Sequence, residues 1–240
     1  MIKIELEKQI KELKKLKAKR LFLQIPEGLK IKVEEVINQL EEKGFEVFTS
    51  MDPCFGACDL KQKEVKQFGC DAILHLGHTK FVEKTTIPVI YAPLFYDLNN
   101  TEQNFEELIK RLIKYLKKEG IKSIGLTTTA QFLHYLPKIR EALKKEGIDS
   151  EIGKGKRSQD GQILGCNYSS AKVKAKNIVY FGDGLFHPLG IHFATRKRII
   201  ILNPFEKEIK ELNKEKDAFL KQRILLIEKA KETKNYEKKV

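Results

Sequence analysis

Residues 20–50 read RLFLQIPEGLKIKVEEVINQLEEKGFEVFTS. RLFLQI (20–25) is an apolar run of strand length, and PEGL breaks it. KIKVEEVINQLEEKG then places its apolar residues at helical spacing, and FEVFTS (45–50) is a second strand-length run. Working outward, DAILHLG (71–77) and IPVIYAP (87–93) supply a third and a fourth strand. Strands alternating with amphipathic helices specify an α/β unit built on a small parallel sheet.

The same order recurs further along. KSIGLTT (122–128) is a strand, and LPKIREALKKEG (136–147) is a helix ending in Lys-Glu-Gly where the first ended in Glu-Lys-Gly. IDSEI stands where FEVFTS stood, NIVYFGD (177–183) matches DAILHLG, and RIIILNP (198–204) matches IPVIYAP. Gly77 and Gly182 fall at equivalent strand ends, as do Pro93 and Pro204. The expected fold is therefore α/β, a tandem repeat of one small unit. The first unit spans residues 1–100 and the second 101–204. NFEELIKRLIKYLKKEG leads into the second unit, and a long helix is expected over 205–240, leading toward a third unit that the sequence does not contain.

The formal net charge of +13 comes from 46 Lys+Arg against 33 Asp+Glu. Lysines are spread along helical segments and are not gathered in one block with aromatic residues, the pattern of a solvated Lys/Glu-laced surface. Such a surface implies no direct nucleic-acid partner. A zinc-stabilised nucleic-acid-binding protein, suggested by the charge alone, is the remote alternative. No apolar run approaches the roughly 20 residues that span a bilayer. The charged, helix-patterned start MIKIELEKQIKELKKLKAKR does not read as a signal peptide. Four cysteines in a chain of this size point to reduced thiols and a cytoplasmic protein.

Two of those cysteines lie in MDPCFGACDL (51–60), between a strand and a helix. In α/β units sites form beyond the carboxyl ends of the strands. Cys54 and Cys166 each sit on the loop after their unit's second strand, so the repeat brings both toward a common centre. Thiolates on backbone-rich loops suit zinc or an iron–sulfur cluster. Cys58 and Cys70 have no repeat-related partner and read as small buried residues.

MDPCFGACDL resembles the signature of the diphthamide synthase family, the archaeal type of 2-(3-amino-3-carboxypropyl)histidine synthase. LQIPEGLK (23–30), LHLGHTKF (74–81), TTTAQFLHYLP (127–137), GQILGCN (161–167) and FGDGLFHPLGIHFAT (181–195) follow in the family's order. The resemblance implies three α/β units, each giving one cysteine to a central 4Fe–4S cluster. It implies cleavage of the Cγ–S bond of S-adenosylmethionine and transfer of the 3-amino-3-carboxypropyl group, as a radical, to C2 of a histidine of elongation factor 2. This is the first step of diphthamide formation. An electron donor and a homodimer are implied as well. Carried over onto this sequence, Cys54 and Cys166 match the first two metal ligands, and no residue matches the third. The chain is accordingly expected to be the transferase acting with another chain or segment. The alternative is a non-catalytic partner, or half of a split or heteromeric synthase. Gln24, Glu27, Gly77, His78, Gly182, Gly184 and His187 are the expected cofactor-binding residues, and no catalytic residue is assigned.

Overall fold

The computed structural model of the 240-residue chain describes residue 4 and residues 6–98, 102–212 and 214–237. The unit boundary read between residues 100 and 101 lies outside them. In chain order the first elements are α1 (Glu7–Lys15), β1 (Arg20–Gln24), α2 (Val33–Glu41), β2 (Glu46–Thr49), α3 (Gln62–Gln67), β3 (Ala72–Leu76) and β4 (Val89–Ala92). There follow α4 (Glu102–Lys118), β5 (Ser123–Thr128), α5 (Leu136–Lys145), β6 (Asp149–Glu151), β7 (Asn177–Phe181), α6 (Phe186–Thr195), β8 (Arg198–Asn203), β9 (Glu208–Glu211) and α7 (Lys214–Glu237).

The helices stop where the sequence tells them to. α2, α4 and α5 are each followed by a glycine in the left-handed region, Gly44 at φ +89°, Gly120 at +64° and Gly147 at +72°. The next residue in each case, Phe45, Ile121 or Ile148, donates its N–H back to the carbonyl of Leu40, Leu116 or Leu143 and buries its side chain. This closure satisfies carbonyls the helix would otherwise leave unpaired, and only glycine takes the turning residue's conformation without steric cost.

The strands form two sheets, β2-β1-β3-β4 and β6-β5-β7-β8-β9. The first four strands of each are parallel and in the same spatial order, so the repeat in sequence is a repeat in topology. Parallel sheets must be covered on both faces, and alternate residues do this. From β7, Val179 and Phe181 pack with α4 and α5, whereas Ile178 and Tyr180 pack with Ile191 of α6. From β3, Ala72, Leu74 and Leu76 join one core with α1 and α2, and Ile73 points to the opposite face with Val65 of α3.

One element corrects the sequence reading. The helix expected from residue 205 begins at Lys214, and Glu208–Glu211 is instead an antiparallel edge strand on β8. Asn203 Oδ1 accepts the N–H groups of Phe205 (2.9 Å) and Glu206 (3.2 Å), which turns the chain back. Ile209 then packs on the core, while Glu211 takes the Arg198 guanidinium (Nη2 2.6 Å, Nε 3.1 Å). Tertiary pairing overrides the helical propensity of EKEIKEL.

Candidate functional site

A single register row builds the floor under the first cysteine loop. Gln24 of β1 pairs with His75 of β3, which pairs with Tyr91 of β4, near the strands' carboxyl ends. All three side chains reach the loop. Gln24 Nε2 donates to the Asp59 carbonyl (2.9 Å) and its Oε1 accepts from the Lys61 N–H (3.2 Å). The Tyr91 hydroxyl donates to the Ala57 carbonyl (3.0 Å), and His75 Nε2 lies 3.8 Å from Cys54 Sγ. The backbone on both sides of Cys58 is thus clamped from below, and Cys58 itself is exposed.

The second unit presents its cysteine differently. The loop after β6 runs alongside the end of β5, with Ile163 donating to the Thr128 carbonyl at 2.8 Å. Leu164 and Asn167 then exchange backbone hydrogen bonds (3.0 and 3.2 Å), leaving Gly165 and Cys166 as the two residues of a tight turn. Tyr168 pins that turn by donating to the Gly165 carbonyl (2.8 Å). A Cβ on Gly165 would come within 2.8 Å of the Phe186 ring, so the turn sits flush against the start of α6. The loop after β3 and the Cys166 loop are tied across the units by buried Thr79 and Gln162, with Thr79 Oγ1 3.0 Å from Gln162 Oε1 and 2.8 Å from its Nε2.

Cys58 and Cys166 open on one cavity of about 470 Å³, walled also by Gly77, His78, Phe186 and His187. A second cavity of about 330 Å³ shares Gly77, His78, Thr129, Gln131 and His187 with it and adds Asp183. Cys54 lines neither. It is buried, with Sγ against His75 and 4.0 Å from the Gly56 carbonyl, and burial pushes its thiol pKa up. The two thiols that the fold brings to one space are therefore Cys58 and Cys166, not Cys54 and Cys166. Cys70 is packed among Phe22, Val65, Ile73 and Ile87.

The remaining expected residues divide. His78, His187 and Gly77 line both cavities. Gly77 has φ +75°, and a Cβ there would meet Pro26 Cγ at 3.0 Å. Gln24 has both ends of its amide engaged by the cysteine loop, and Glu27 is exposed and paired with Lys30. Gly182 and Gly184 line neither cavity, although Asp183 between them lines the smaller one. His187 stacks on Tyr180 (centroids 6.1 Å, 18°) and takes the Phe186 ring edge-on, and burial holds its pKa below the ordinary value.

Residues 25–237 match the model of a family described as "Putative diphthamide synthesis protein". The chain belongs to this family. It is 41% identical over 229 residues to the 2-(3-amino-3-carboxypropyl)histidine synthase of Pyrococcus horikoshii, covering 95% of this chain and 65% of that protein. The enzyme of the same name from Methanocaldococcus jannaschii is 29% identical, with 95% and 64% covered. Among solved structures, Dph2 from Pyrococcus horikoshii with a 4Fe–4S cluster superposes with a TM-score of 0.86 at 39% identity, over 96% of this chain and 67% of that one. The chain thus spans about two thirds of the length of the curated relatives it matches. Among the described residues no helix is long and apolar enough to cross a membrane.

Sequence reasoning missed Cys58, His75, Thr79, Gln162 and Asp183. His75 carried a usable signal, since a histidine inside AILHL, a strand buried at every position, has to be accommodated on one face. Burial, and then the neighbouring His78, hold its pKa down to about 3. Between that value and the ordinary 6.5 the unfolded chain binds a proton that the folded chain does not, so stability rises with pH across this window and is lost as pH falls through it. His78, His134 and His187 are shifted in the same direction by burial. Urea unfolding is expected to show stability falling between pH 6.5 and 4 by up to about 1.4 kcal/mol per pH unit for His75 alone, with a shallower fall in His75→Gln. A flat profile would contradict the burial of these rings.

Proposed function

We propose that this chain is the part of a 2-(3-amino-3-carboxypropyl)histidine synthase that holds a 4Fe–4S cluster through Cys58 and Cys166 and binds S-adenosylmethionine beside it. The reaction is transfer of the 3-amino-3-carboxypropyl group to C2 of a histidine of elongation factor 2, in the cytoplasm. The observation that carries this reading is the convergence of two exposed thiols, one from each repeat, on one cavity. The donor chemistry fits, because thiolates are the protein ligands of such clusters. When bound, the cluster supplies the electron that cleaves the Cγ–S bond of S-adenosylmethionine.

The chain's own residues prepare the space around it. Gln24 and Tyr91 fix the Cys58 backbone, and Tyr168 fixes the Cys166 turn. The Thr79–Gln162 pair sets the loop after β3, which carries His78, against the Cys166 loop. His78 and His187 are held toward the neutral form by burial, so they offer hydrogen bonds without placing a positive charge beside a sulfonium. Asp183 supplies a carboxylate in the adjoining cavity for the substrate's ammonium group.

Of the chain's four cysteines, the two others are buried away from the cavity, so the third thiolate comes from a further α/β unit. That unit packs on α7, whose apolar residues are exposed. Residues 1–100 and 101–204 are in this reading the two units that assemble with it. A chain with two cavity thiols also suits a supporting partner of a complete subunit, the second reading. Anaerobic iron and sulfide reconstitution, with and without the additional unit, separates them. The first reading expects a cluster EPR signal altered by S-adenosylmethionine, and methylthioadenosine as product. Absence of a cluster under both conditions would refute it.

A further inference from the structure

β3 and the turn after it join two histidines by a contact that the proposed chemistry does not use. His75 Nε2 and His78 Nδ1 are 2.9 Å apart, with the rings tilted and their centroids at 5.0 Å. Cys54 Sγ lies 3.8 Å from the same Nε2, and the three donor atoms all fall within 4.8 Å of one another. Such a trio invites a metal. The spacing decides otherwise: two imidazole nitrogens on one tetrahedral zinc, each at 2.0–2.1 Å, stand about 3.3 Å apart. A separation of 2.9 Å is that of a hydrogen bond.

Its direction follows from the far side of the His75 ring. His75 is fully buried, and among the described residues its Nδ1 has no hydrogen-bond partner. If His78 were the donor, the His75 proton would sit on Nδ1 as a buried N–H with no acceptor, an arrangement native structures rarely contain. With the proton on Nε2 only a lone pair is left unpaired.

We propose that His75 is a positioning residue: it donates Nε2–H to Nδ1 of His78, which places the His78 proton on Nε2 and fixes that ring as a neutral donor to an oxygen acceptor, such as a carboxylate, of the molecule in the cavity. This rests on reading the cavity as the S-adenosylmethionine site. Burial keeps both rings below their ordinary pKa, on His78 against the pull of the Leu76 carbonyl, so the pair stays uncharged near neutrality. A lone histidine at that wall would be free to rotate or change tautomer; one held from behind by a buried partner is not.

The test begins with the cluster-free full chain labelled with ¹⁵N-histidine. A scalar coupling across the hydrogen bond, from His75 Nε2–H to His78 Nδ1, is expected, together with a His78 protonated on Nε2. A His78 protonated on Nδ1, or no coupling in the folded protein, would overturn the assignment. So would stoichiometric zinc in the isolated protein that disappears in Cys54→Ala. In reconstituted protein, S-adenosylmethionine affinity read from the EPR change is expected to weaken about tenfold in His75→Leu, the scale of one hydrogen bond. It is expected to return near wild type in His75→Gln, whose amide N–H occupies the place of Nε2–H. Equal losses in both variants would overturn the positioning role. If His75→Leu does not fold, the coupling in the wild-type chain still decides. Failure of the wild-type protein to bind S-adenosylmethionine would overturn the functional reading, a result separate from the coupling.

Discussion

Cys58→Ala is expected to remove the iron–sulfur cluster and the methylthioadenosine it yields, whereas Cys54→Ala is expected to keep both. The two cysteines are four residues apart in one signature, and their surroundings are opposite. Cys54 is 6% exposed, faces His75, and has its thiol pushed up by burial toward the protonated form. Cys58 is exposed on the cavity that Cys166 also lines. Loss of Cys58 should exceed the roughly 10- to 100-fold penalty that losing an outer-shell partner imposes. Loss of the Cys54 sulfur should cost only packing, about 1 kcal/mol of stability. Iron and sulfide content and EPR of the two reconstituted variants check this. A cluster that survives Cys58→Ala and is lost in Cys54→Ala would restore the ligand set read from the sequence.

The opposite exposure of Cys54 and Cys58 shows where sequence reasoning stops. The strands were legible because their apolar runs have the right length and recur in the same order. Their parallel pairing follows from the helices between them. The repeat likewise located the cysteine loops, because loop position is a property of topology. Which of two cysteines on one loop points outward is not. It depends on Gln24 and Tyr91 gripping the backbone at Asp59, Lys61 and Ala57, and those contacts come from strands 34 to 37 residues away. Gln24 illustrates the same limit. A polar residue at a strand end reads as a ligand contact, yet its amide is used up on both sides by the loop. β9 failed for a different reason. EKEIKEL is a good helical sequence, and the Asn203 turn, the pairing with β8 and the Arg198–Glu211 pair, none of them visible in local periodicity, make it a strand.

Binding of a further α/β unit is expected to depend on the middle of α7, and Leu225→Asp with Leu226→Asp should weaken it by at least about 100-fold, two buried side chains at roughly 1.5 kcal/mol each. The helices of the two units present set the standard. α4 buries Leu108, Ile109, Leu112 and Leu116, and α1 buries Leu13. α7 leaves Ile224, Leu225, Leu226 and Ile227 between 48% and 66% exposed. Four successive positions at 100° steps cover every side of a helix, so no single neighbouring surface accounts for this apolar turn. Among the described residues, α7 meets an aromatic ring of the second unit at Phe219, whose ring lies 5.5 Å from that of Phe193. A unit seated on α7 as the second unit is seated on α4 would cover the belt and carry its own cysteine toward the cavity. The measurement is the affinity of the wild-type and doubly substituted chains for the portion of the Pyrococcus horikoshii relative that lies outside the matched length, by titration calorimetry. Association of the chain with itself through α7, abolished by the same substitutions while the added unit does not bind, would assign the belt to a second copy and refute this account of the third thiolate.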